Sequence, residues 1–249
     1  FFVAPRRWGY AVRQLHPQGT VRVDNAFFSQ TLLALLGGLP LTLNLTLLAL
    51  IGGALLAVCF NLLRLTRLGH YPVRFYIWLF RGTPLLIQIF MIYYELGSFE
   101  LVRDSVLWPV LREPYWCGLI ALILNDAAYT SEILRGGLNA VSPQSIEAAK
   151  VSGMSSRKIF TRITLPIAVR QALPAWSNEV ISMLKATSLV STISLMEMTG
   201  IADAIVSSTF RALEVFLTAA VIYLILSLIV SRLLTLLEHR LSPYQFGAR

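Results

Sequence analysis

The strongest constraint on the fold is an uncharged, apolar stretch that runs from Asn25 to Leu63. As one straight helix it would be roughly 58 Å long, about twice the thickness of the hydrocarbon core of a bilayer. Because proline interrupts helices, we expect Pro40 to divide the stretch. The sequence then predicts a segment lying along the membrane over 27–39 and a first membrane span over 41–63.

The composition places the rest of the chain in a membrane as well. Of its 249 residues, 56% are hydrophobic and 14% are charged, whereas soluble domains carry about 25% charged residues. Further apolar stretches predict spans over 73–95, 115–135, 176–198 and 214–232. These stretches are continuous and do not alternate with a period of two, which favours helices over a β-barrel. We therefore predict an all-α, polytopic transmembrane bundle of about five spans.

The charge asymmetry between the loops predicts their sides of the membrane. The segment 64–74, the loop 135–170 and the chain after the last span are rich in Lys and Arg, which favour the cytoplasm. The loops 95–113 and 197–214 hold more acidic than basic residues. With five spans the N-terminus would lie outside, where its basic residues contravene the rule. A sixth span, or an arm tucked inward, therefore stays open.

The positions of the predicted spans divide the chain into an N-terminal arm over 1–26, a transmembrane domain over 27–240 and a C-terminal tail over 241–249. The net charge of +8 does not indicate a nucleic acid partner, because the basic residues flank apolar spans and form no stripe with aromatics. The cysteines and histidines have no metal-ligand spacing, so we expect no metal site.

The loop between spans three and four begins with a short polar helix. Ser142 is a suitable N-cap, Pro143 occupies the first helical position, and Gly153 ends the helix as the residue after its C-cap. The chemistry of this helix comes from one acid and two small side chains: Glu147, Ala148 and Ala149. Small residues let another surface approach the backbone, and an acid offers a basic partner one directional contact. From these residues alone, an ordinary interfacial helix and a docking helix fit equally well.

A second loop helix is predicted to open at Ser155 or Ser156 and to end at Pro166. Its basic and apolar residues fall on opposite faces, with Arg157, Lys158 and Arg162 on one and Ile159, Phe160 and Ile163 on the other. We expect it to lie on the inner membrane surface with its apolar face down.

The two loop helices together carry a recognisable signature. Residues 147–166 match the pattern E-A-A-x3-G-x9-I-x-L-P and so resemble the EAA loop of ABC importer permeases. The stretches 80–94, 124–138 and 173–190 resemble the polar amino acid uptake permeases, the histidine/arginine/glutamine group, and most closely their M-type subunits. The resemblance covers about residues 30–240, and it implies the type I ABC importer permease fold.

This resemblance implies a coupling helix between spans three and four that docks in an ATP-binding subunit. The signature residues are Glu147, Ala148, Ala149, Gly153, Ile163, Leu165 and Pro166. The implied function is that of a permease subunit of an ATP-driven importer for polar L-amino acids, in particular basic ones of the arginine, histidine or lysine type. The implied location is the inner membrane of a bacterium.

The resemblance also implies the partners, which are a homologous second permease or a second copy, two ATP-binding subunits and an extracytoplasmic amino-acid-binding protein. Five spans are few for a complete pathway, which agrees with a second permease chain. No G-x4-G-K-[ST] sequence occurs, so ATP and Mg are expected in the partner subunit. We expect no cofactor and no enzymatic activity in this chain.

Polar residues within the spans locate a candidate substrate path. A charge at bilayer depth is costly and usually faces the bundle interior or a water-filled cavity. On a helix, Asn125, Tyr129 and Glu132 share one face, and an acid beside a hydroxyl suits a zwitterion with an extra positive charge. The candidate path residues are Asn125, Asp126, Tyr129, Glu132, Asn178 and Glu179. Snorkelling at a helix end, or a structural ion pair between spans, stays open for the acids.

Arg81 and the glycine pairs have simpler interpretations. Arg81 stands beside Gly82-Thr83-Pro84, which predicts a helix break near the inner mouth. The pairs Gly37-Gly38 and Gly52-Gly53 predict close contacts between helices.

Two other functional classes fit the sequence less well. A membrane-embedded enzyme would need a nucleophile with its base or a metal site, yet neither H-E-x-x-H nor G-x-S-x-G occurs. A channel or scaffold without energy coupling would have no use for an acidic docking helix.

Overall fold

The protein is all-α throughout residues 25–241, which are the residues that this computed structural model describes. The helices in chain order are α1 (Asn25–Leu63), α2 (Arg67–Gly82), α3 (Leu85–Phe90), α4 (Glu100–Arg103), α5 (Trp108–Leu111), α6 (Pro114–Asn139), α7 (Pro143–Val151), α8 (Ser156–Ile159), α9 (Leu165–Ala186), α10 (Met198–Thr209) and α11 (Ala212–Leu241). π-helical turns extend α3 and α8 over Met91–Glu95 and Phe160–Thr164, and 3-10 turns follow over Leu96–Ser98 and Thr187–Ile193.

Within residues 25–241, three helices are long and apolar enough to cross a membrane, namely α1, α6 and α11, and this part of the chain has up to five spans if each bent helix pair counts as one. The predicted third and fifth spans lie within α6 and α11, so both segments are helical as predicted, and each helix extends beyond the predicted bounds. The N-terminal arm predicted over 1–26 and the tail predicted over 241–249 lie outside the described residues, apart from the helix ends at 25–26 and 241.

The prediction that Pro40 separates two segments is wrong, because α1 continues through it. Proline removes one backbone hydrogen bond, but packing on both sides of Pro40 holds the helix together. Leu35 is fully buried in a cluster with α10 and α11, and Leu45 is fully buried in the central cluster with α6 and α9. The whole of α1 is therefore one structural element.

The second predicted span is also irregular. The chain turns by 109° between α2 and the segment that starts with α3, so a straight helix over 73–95 is wrong, while the break predicted beside Arg81 is confirmed. The side chain of Gln88 reaches back across the break. Its Nε2 donates hydrogen bonds to the carbonyl oxygens of Phe80 and Thr83 at 2.8 and 3.1 Å and to Thr83 Oγ1 at 2.9 Å.

The fourth predicted span is wrong in position. The helix begins at α8, passes through the π turn and Pro166, and ends as α9 at Ala186. The second loop helix therefore does not stop at Pro166, because the wide π turn directly before the proline gives it an irregular turn to occupy. After the 3-10 turn, Ser194 takes a left-handed conformation with φ of 67°, and the chain bends by 47° into α10, a helix that the sequence did not predict.

Helix α1 packs closely against α6 and α10 at its glycines. A Cβ atom on Gly53 would overlap Oδ2 of Asp126 on α6, and one on Gly38 would lie 2.7 Å from the backbone nitrogen of Met198. A Cβ on Gly52 would lie 2.7 Å from Cδ1 and 2.9 Å from Cγ1 of the Ile123 side chain. The prediction that these three glycines serve helix contacts is confirmed.

Candidate functional site: the polar cavity and the EAA helix

Helix α7, which carries the EAA signature and is called the EAA helix below, has the predicted caps at both ends. The hydroxyl of Ser142 accepts a hydrogen bond from the backbone nitrogen of Ser145 at 3.3 Å, and Pro143 occupies the first turn. Gly153 has φ of 77°. The backbone N–H of Gly153 donates a hydrogen bond to the carbonyl oxygen of Lys150 at 3.0 Å. The backbone N–H of Met154 donates one to the carbonyl oxygen of Ala149 at 3.1 Å. This pairing is a Schellman motif, which requires the left-handed glycine.

The EAA helix presents an open surface. Glu147 and Ala148 are exposed, and Val151 is 90% exposed. Ala149 is buried, and Ile159 of α8 is buried with it. Within residues 25–241, the carboxylate of Glu147 forms neither a hydrogen bond nor an ion pair. The helix therefore offers an unpaired acid beside small and apolar residues to whatever contacts it.

The remaining signature residues lie at the junction between the loop and the bundle. Ile163 and Pro166 are half-buried and Leu165 is exposed. All three lie in or directly after the π turn that leads into α9. They lie where the chain passes from the EAA loop into α9.

Three of the six predicted path residues meet in a polar cavity of about 510 Å³. The cavity lies where the break between α2 and α3 faces α6 and α9, and its wall includes Asn125, Tyr129 and Glu179. Asn125 is held by its own hydrogen bond, because its Nδ2 donates to Oε1 of Gln88 at 3.0 Å. The wall also includes the hydroxyl-bearing Ser182.

Arg81 lines this cavity too, although the sequence favoured a helix break over a binding role there. Its guanidinium lies over the ring of Tyr129, 5.2 Å from the centroid, which is a cation–π contact. The signal that could have revealed it is a charge within an apolar stretch. A guanidinium, a carboxylate, an amide and a phenol around one cavity can bind both ends of a zwitterion, since Arg81 suits a carboxylate and Glu179 suits a cation.

The other three path residues lie elsewhere. Asp126 is fully buried against α1, where Thr130 Oγ1 donates to its Oδ2 at 3.2 Å and its Oδ1 has no partner in the described chain. Asn178 is exposed and does not line the polar cavity. Glu132 accepts hydrogen bonds from Arg64 at 2.7 Å and from Arg135, the geometry of an ion pair that joins α1 to α6.

Glu197 was missed by the sequence interpretation, which counted it only among the acids of a loop. It is fully buried and is the N-cap of α10. Its Oε1 accepts from the backbone nitrogens of Thr199 and Gly200 at 2.7 and 3.0 Å. Its Oε2 accepts from the hydroxyls of Thr42 and Tyr223 at 3.1 and 3.0 Å. One carboxylate thus ties α10 to α1 and α11.

No group of three His, Cys, Asp or Glu side chains that could hold a metal ion occurs within residues 25–241. The site consists of a polar cavity in a helix bundle and a separate exposed helix.

Comparisons with known proteins match nearly the whole chain. The profile of the family described as "Binding-protein-dependent transport system inner membrane component" matches residues 31–243. The octopine transport system permease protein OccM of Rhizobium radiobacter is 54% identical over 222 residues, which cover 88% of this chain and 91% of that protein. The nopaline transport system permease protein NocM of Agrobacterium fabrum is 47% identical, with 89% and 93% covered. The arginine ABC transporter permease protein ArtM of Escherichia coli K12 is 39% identical, with 70% and 78% covered.

Solved structures show the same fold. A crystal structure of an amino acid ABC transporter with histidines superposes with a TM-score of 0.79 at 34% identity, and covers 88% of this chain and 100% of its own. The MetNI methionine ABC transporter in an inward-facing conformation superposes with a TM-score of 0.66 at 16% identity, with 83% and 95% covered. The latter supports the fold alone.

Proposed function

Because this chain belongs to the family of inner membrane components of binding-protein-dependent transport systems, we propose that it is the permease subunit of an ATP-driven importer for basic amino acids and related compounds. Relatives named for octopine, nopaline and arginine transport support this substrate class. Arginine is the amino acid to test first. As a permease subunit the chain is not itself an enzyme.

The observation that carries the substrate proposal is the polar cavity. Its wall combines Arg81, Asn125, Tyr129 and Glu179 at a break between α2 and α3. In a bilayer, such groups persist only where they line a cavity or pair with one another. Glu179 would contact the cationic side chain of the substrate, and Arg81 would contact its carboxylate. A second permease chain, homologous or identical, would complete the pathway.

The EAA helix carries the coupling proposal. Its unpaired Glu147 and small neighbours suit a groove in an ATP-binding subunit, and the junction through Leu165 and Pro166 would pass motion to α9. We place this loop and the C-terminus in the cytoplasm, because their flanks are rich in Lys and Arg. Two ATP-binding subunits would supply ATP and Mg, and an extracytoplasmic binding protein would deliver the substrate.

The coupling proposal is tested with Glu147→Lys in the reconstituted importer. A reversed charge in the docking surface should abolish both uptake and the ATPase activity that the loaded binding protein stimulates, while the permease still inserts in the membrane. Glu100→Lys is the matched control, since Glu100 is also exposed but lies in a loop predicted on the opposite side. Uptake by Glu147→Lys at the unmodified rate would remove α7 as the coupling element.

The substrate proposal is tested with Glu179→Gln, which keeps the shape of the side chain and removes its charge. Stimulated ATPase activity should lose about tenfold or more in apparent affinity for arginine, because a buried charge contact is lost, and should change little for glutamine. Asn178→Ala is the control, because that neighbour is exposed and does not line the polar cavity. Equal losses of apparent affinity for arginine and glutamine would show that Glu179 does not distinguish a cationic side chain from a neutral one.

A further inference from the structure

A second and larger cavity, about 1120 Å³ in volume, adjoins the polar cavity and is called the basic cavity here. It lies between the end of α1, the length of α2, the end of α6 and the start of α9. Its charged lining residues are Arg64, Arg74, Arg81, Arg135 and the single acid Glu132, and His70 lies among them. Four arginines against one carboxylate make this wall strongly basic.

The ion pairs of the basic cavity leave Arg74 without a carboxylate partner. One carboxylate oxygen of Glu132 pairs with Arg64 and the other pairs with Arg135. These contacts hold the part of the cavity wall where α1 ends beside α6. Arg74 forms no ion pair with a carboxylate in the described chain. Arg81 interacts electrostatically with the carboxylate of Glu179 across the polar cavity, so Arg74 is the arginine whose charge is left for another partner. Arg74 is exposed on α2. The surplus positive charge therefore attracts an anion.

The rest of the wall is apolar and open. Leu65 is 83% exposed and Trp78 is 69% exposed, and Leu62, Phe160 and other apolar side chains line the same space. A small inorganic anion would gain nothing from this apolar surface. A ligand with an anionic head and a hydrocarbon tail would satisfy both parts of the wall.

Helix α2 also carries basic side chains and apolar side chains on separate stripes along its length. Its basic residues Arg67, His70, Arg74 and Arg81 recur at spacings of three, four and seven, and a separate exposed stripe carries Leu68, Tyr71, Phe75 and Trp78. A basic stripe beside an aromatic and aliphatic one is typical of helices that meet lipid headgroups. Its third face, with Val73 and Ile77, is buried against Phe60 of α1 and Ala128 of α6.

We propose that the basic cavity binds one anionic phospholipid, with its phosphate at Arg74 and its acyl chains along Trp78 and Leu62. Basic pockets between membrane helices bind anionic headgroups, and guanidinium groups hold phosphate through paired hydrogen bonds. The site differs from the proposed substrate site, because neither Arg74 nor Trp78 lines the polar cavity.

The proposal is tested by native mass spectrometry of the whole importer, purified in mixed micelles with equimolar phosphatidylglycerol and phosphatidylcholine. The unmodified complex should retain phosphatidylglycerol in preference. Arg74→Gln should lower the ratio of bound phosphatidylglycerol to phosphatidylcholine about fivefold, the effect of one basic residue on an anionic lipid. Arg74→Lys should keep most of the preference, because the charge remains.

Arg67→Gln is the matched control, since Arg67 is an exposed arginine on the same helix that does not line the basic cavity. An equal loss in Arg67→Gln would show general surface attraction and would overturn the site. Displacement of the lipid by excess inorganic phosphate would also overturn the proposal, because the cavity would then be a phosphate site. Displacement by saturating arginine would overturn it as well, because the cavity would then belong to the transport path. An unchanged ratio in Arg74→Gln would refute the proposal directly.

Discussion

Replacing Gly53 by alanine is expected to force α1 and α6 apart. The added Cβ would overlap Oδ2 of Asp126 and lie 2.7 Å from the Cβ and Cγ of that residue, whereas real Cβ contacts essentially never fall under 3.0 Å. Asp126 is fully buried, and its own Cβ lies within the overlap, so rotation of its side chain cannot relieve the contact. The backbones of the two helices must therefore move, and the packing around them is lost.

The size of the effect follows from two opposing terms. Overpacking of a well-packed interface costs about 3 kcal/mol at its upper range, and alanine recovers about 1 kcal/mol of helix propensity relative to glycine. We expect a net loss of about 2 kcal/mol in the free energy of unfolding. Gly52→Ala is the matched control one residue away, because its Cβ would meet the half-buried side chain of Ile123, with Cδ1 at 2.7 Å and Cγ1 at 2.9 Å, and not a fully buried carboxylate.

The assay is SDS titration of the purified permease in mixed micelles, with a double-mutant cycle to identify the contact. Asp126→Gly removes the opposing Cβ and carboxylate, so Gly53→Ala should cost little in its presence, and the coupling free energy should be about 2 kcal/mol or more. Additivity of the two changes within about 0.5 kcal/mol would refute the steric reasoning. A Gly52→Ala variant as unstable as Gly53→Ala would refute it too.

Two further changes test other contacts. Glu197→Ala should lower the free energy of unfolding by about 3 kcal/mol, because it leaves the N–H groups that start α10 without their acceptor, and Glu197→Gln should cost less. Equal stability of Glu197→Ala and the unmodified protein in SDS titration would contradict the hydrogen bonds assigned to Glu197. Gly153→Ala places a side chain at φ of 77° and should strain the end of α7 by about 1–2 kcal/mol. Copurification of the ATP-binding subunit should fall at unchanged permease abundance, with Gly136→Ala, which meets nothing within 4 Å, as the control.

Composition and loop signals predicted much of the fold. The sequences of α6 and α11 contain uninterrupted apolar stretches bounded by charges, and both helices formed where expected. The caps at Ser142 and Gly153 followed from local chemistry, which needs no distant partner. The family resemblance was confirmed by the comparisons.

Prolines produced the errors in the helix boundaries. Pro40 and Pro166 are helix breakers by local chemistry, but tertiary packing keeps α1 continuous through the first and a π turn accommodates the second. At Pro84 the same residue type does break the chain. What differs is the surroundings of each proline, which a single sequence does not reveal.

Helical spacing also identified which polar residues share a face, but not what that face meets. Asn125 and Tyr129 reach the polar cavity. Glu132 lies on the same face, yet it meets Arg64, which is 68 residues away in the chain. The role of Arg81 depended on the direction in which the chain turns after the break, and that direction is set by the packing of α3 against α6.

The side chain of Gln88 has a consequence for how this region can change during evolution. Its amide forms hydrogen bonds to the end of α2 before the break at Pro84 and to Asn125 of α6. The number of residues between Pro84 and Gln88 is therefore fixed by geometry. Inserting or deleting one residue would rotate the amide by about 100° around the helix and leave several polar groups facing hydrocarbon. Length variation among descendants of this chain should therefore accumulate in segments such as 104–107, while the short stretch after Pro84 keeps its length.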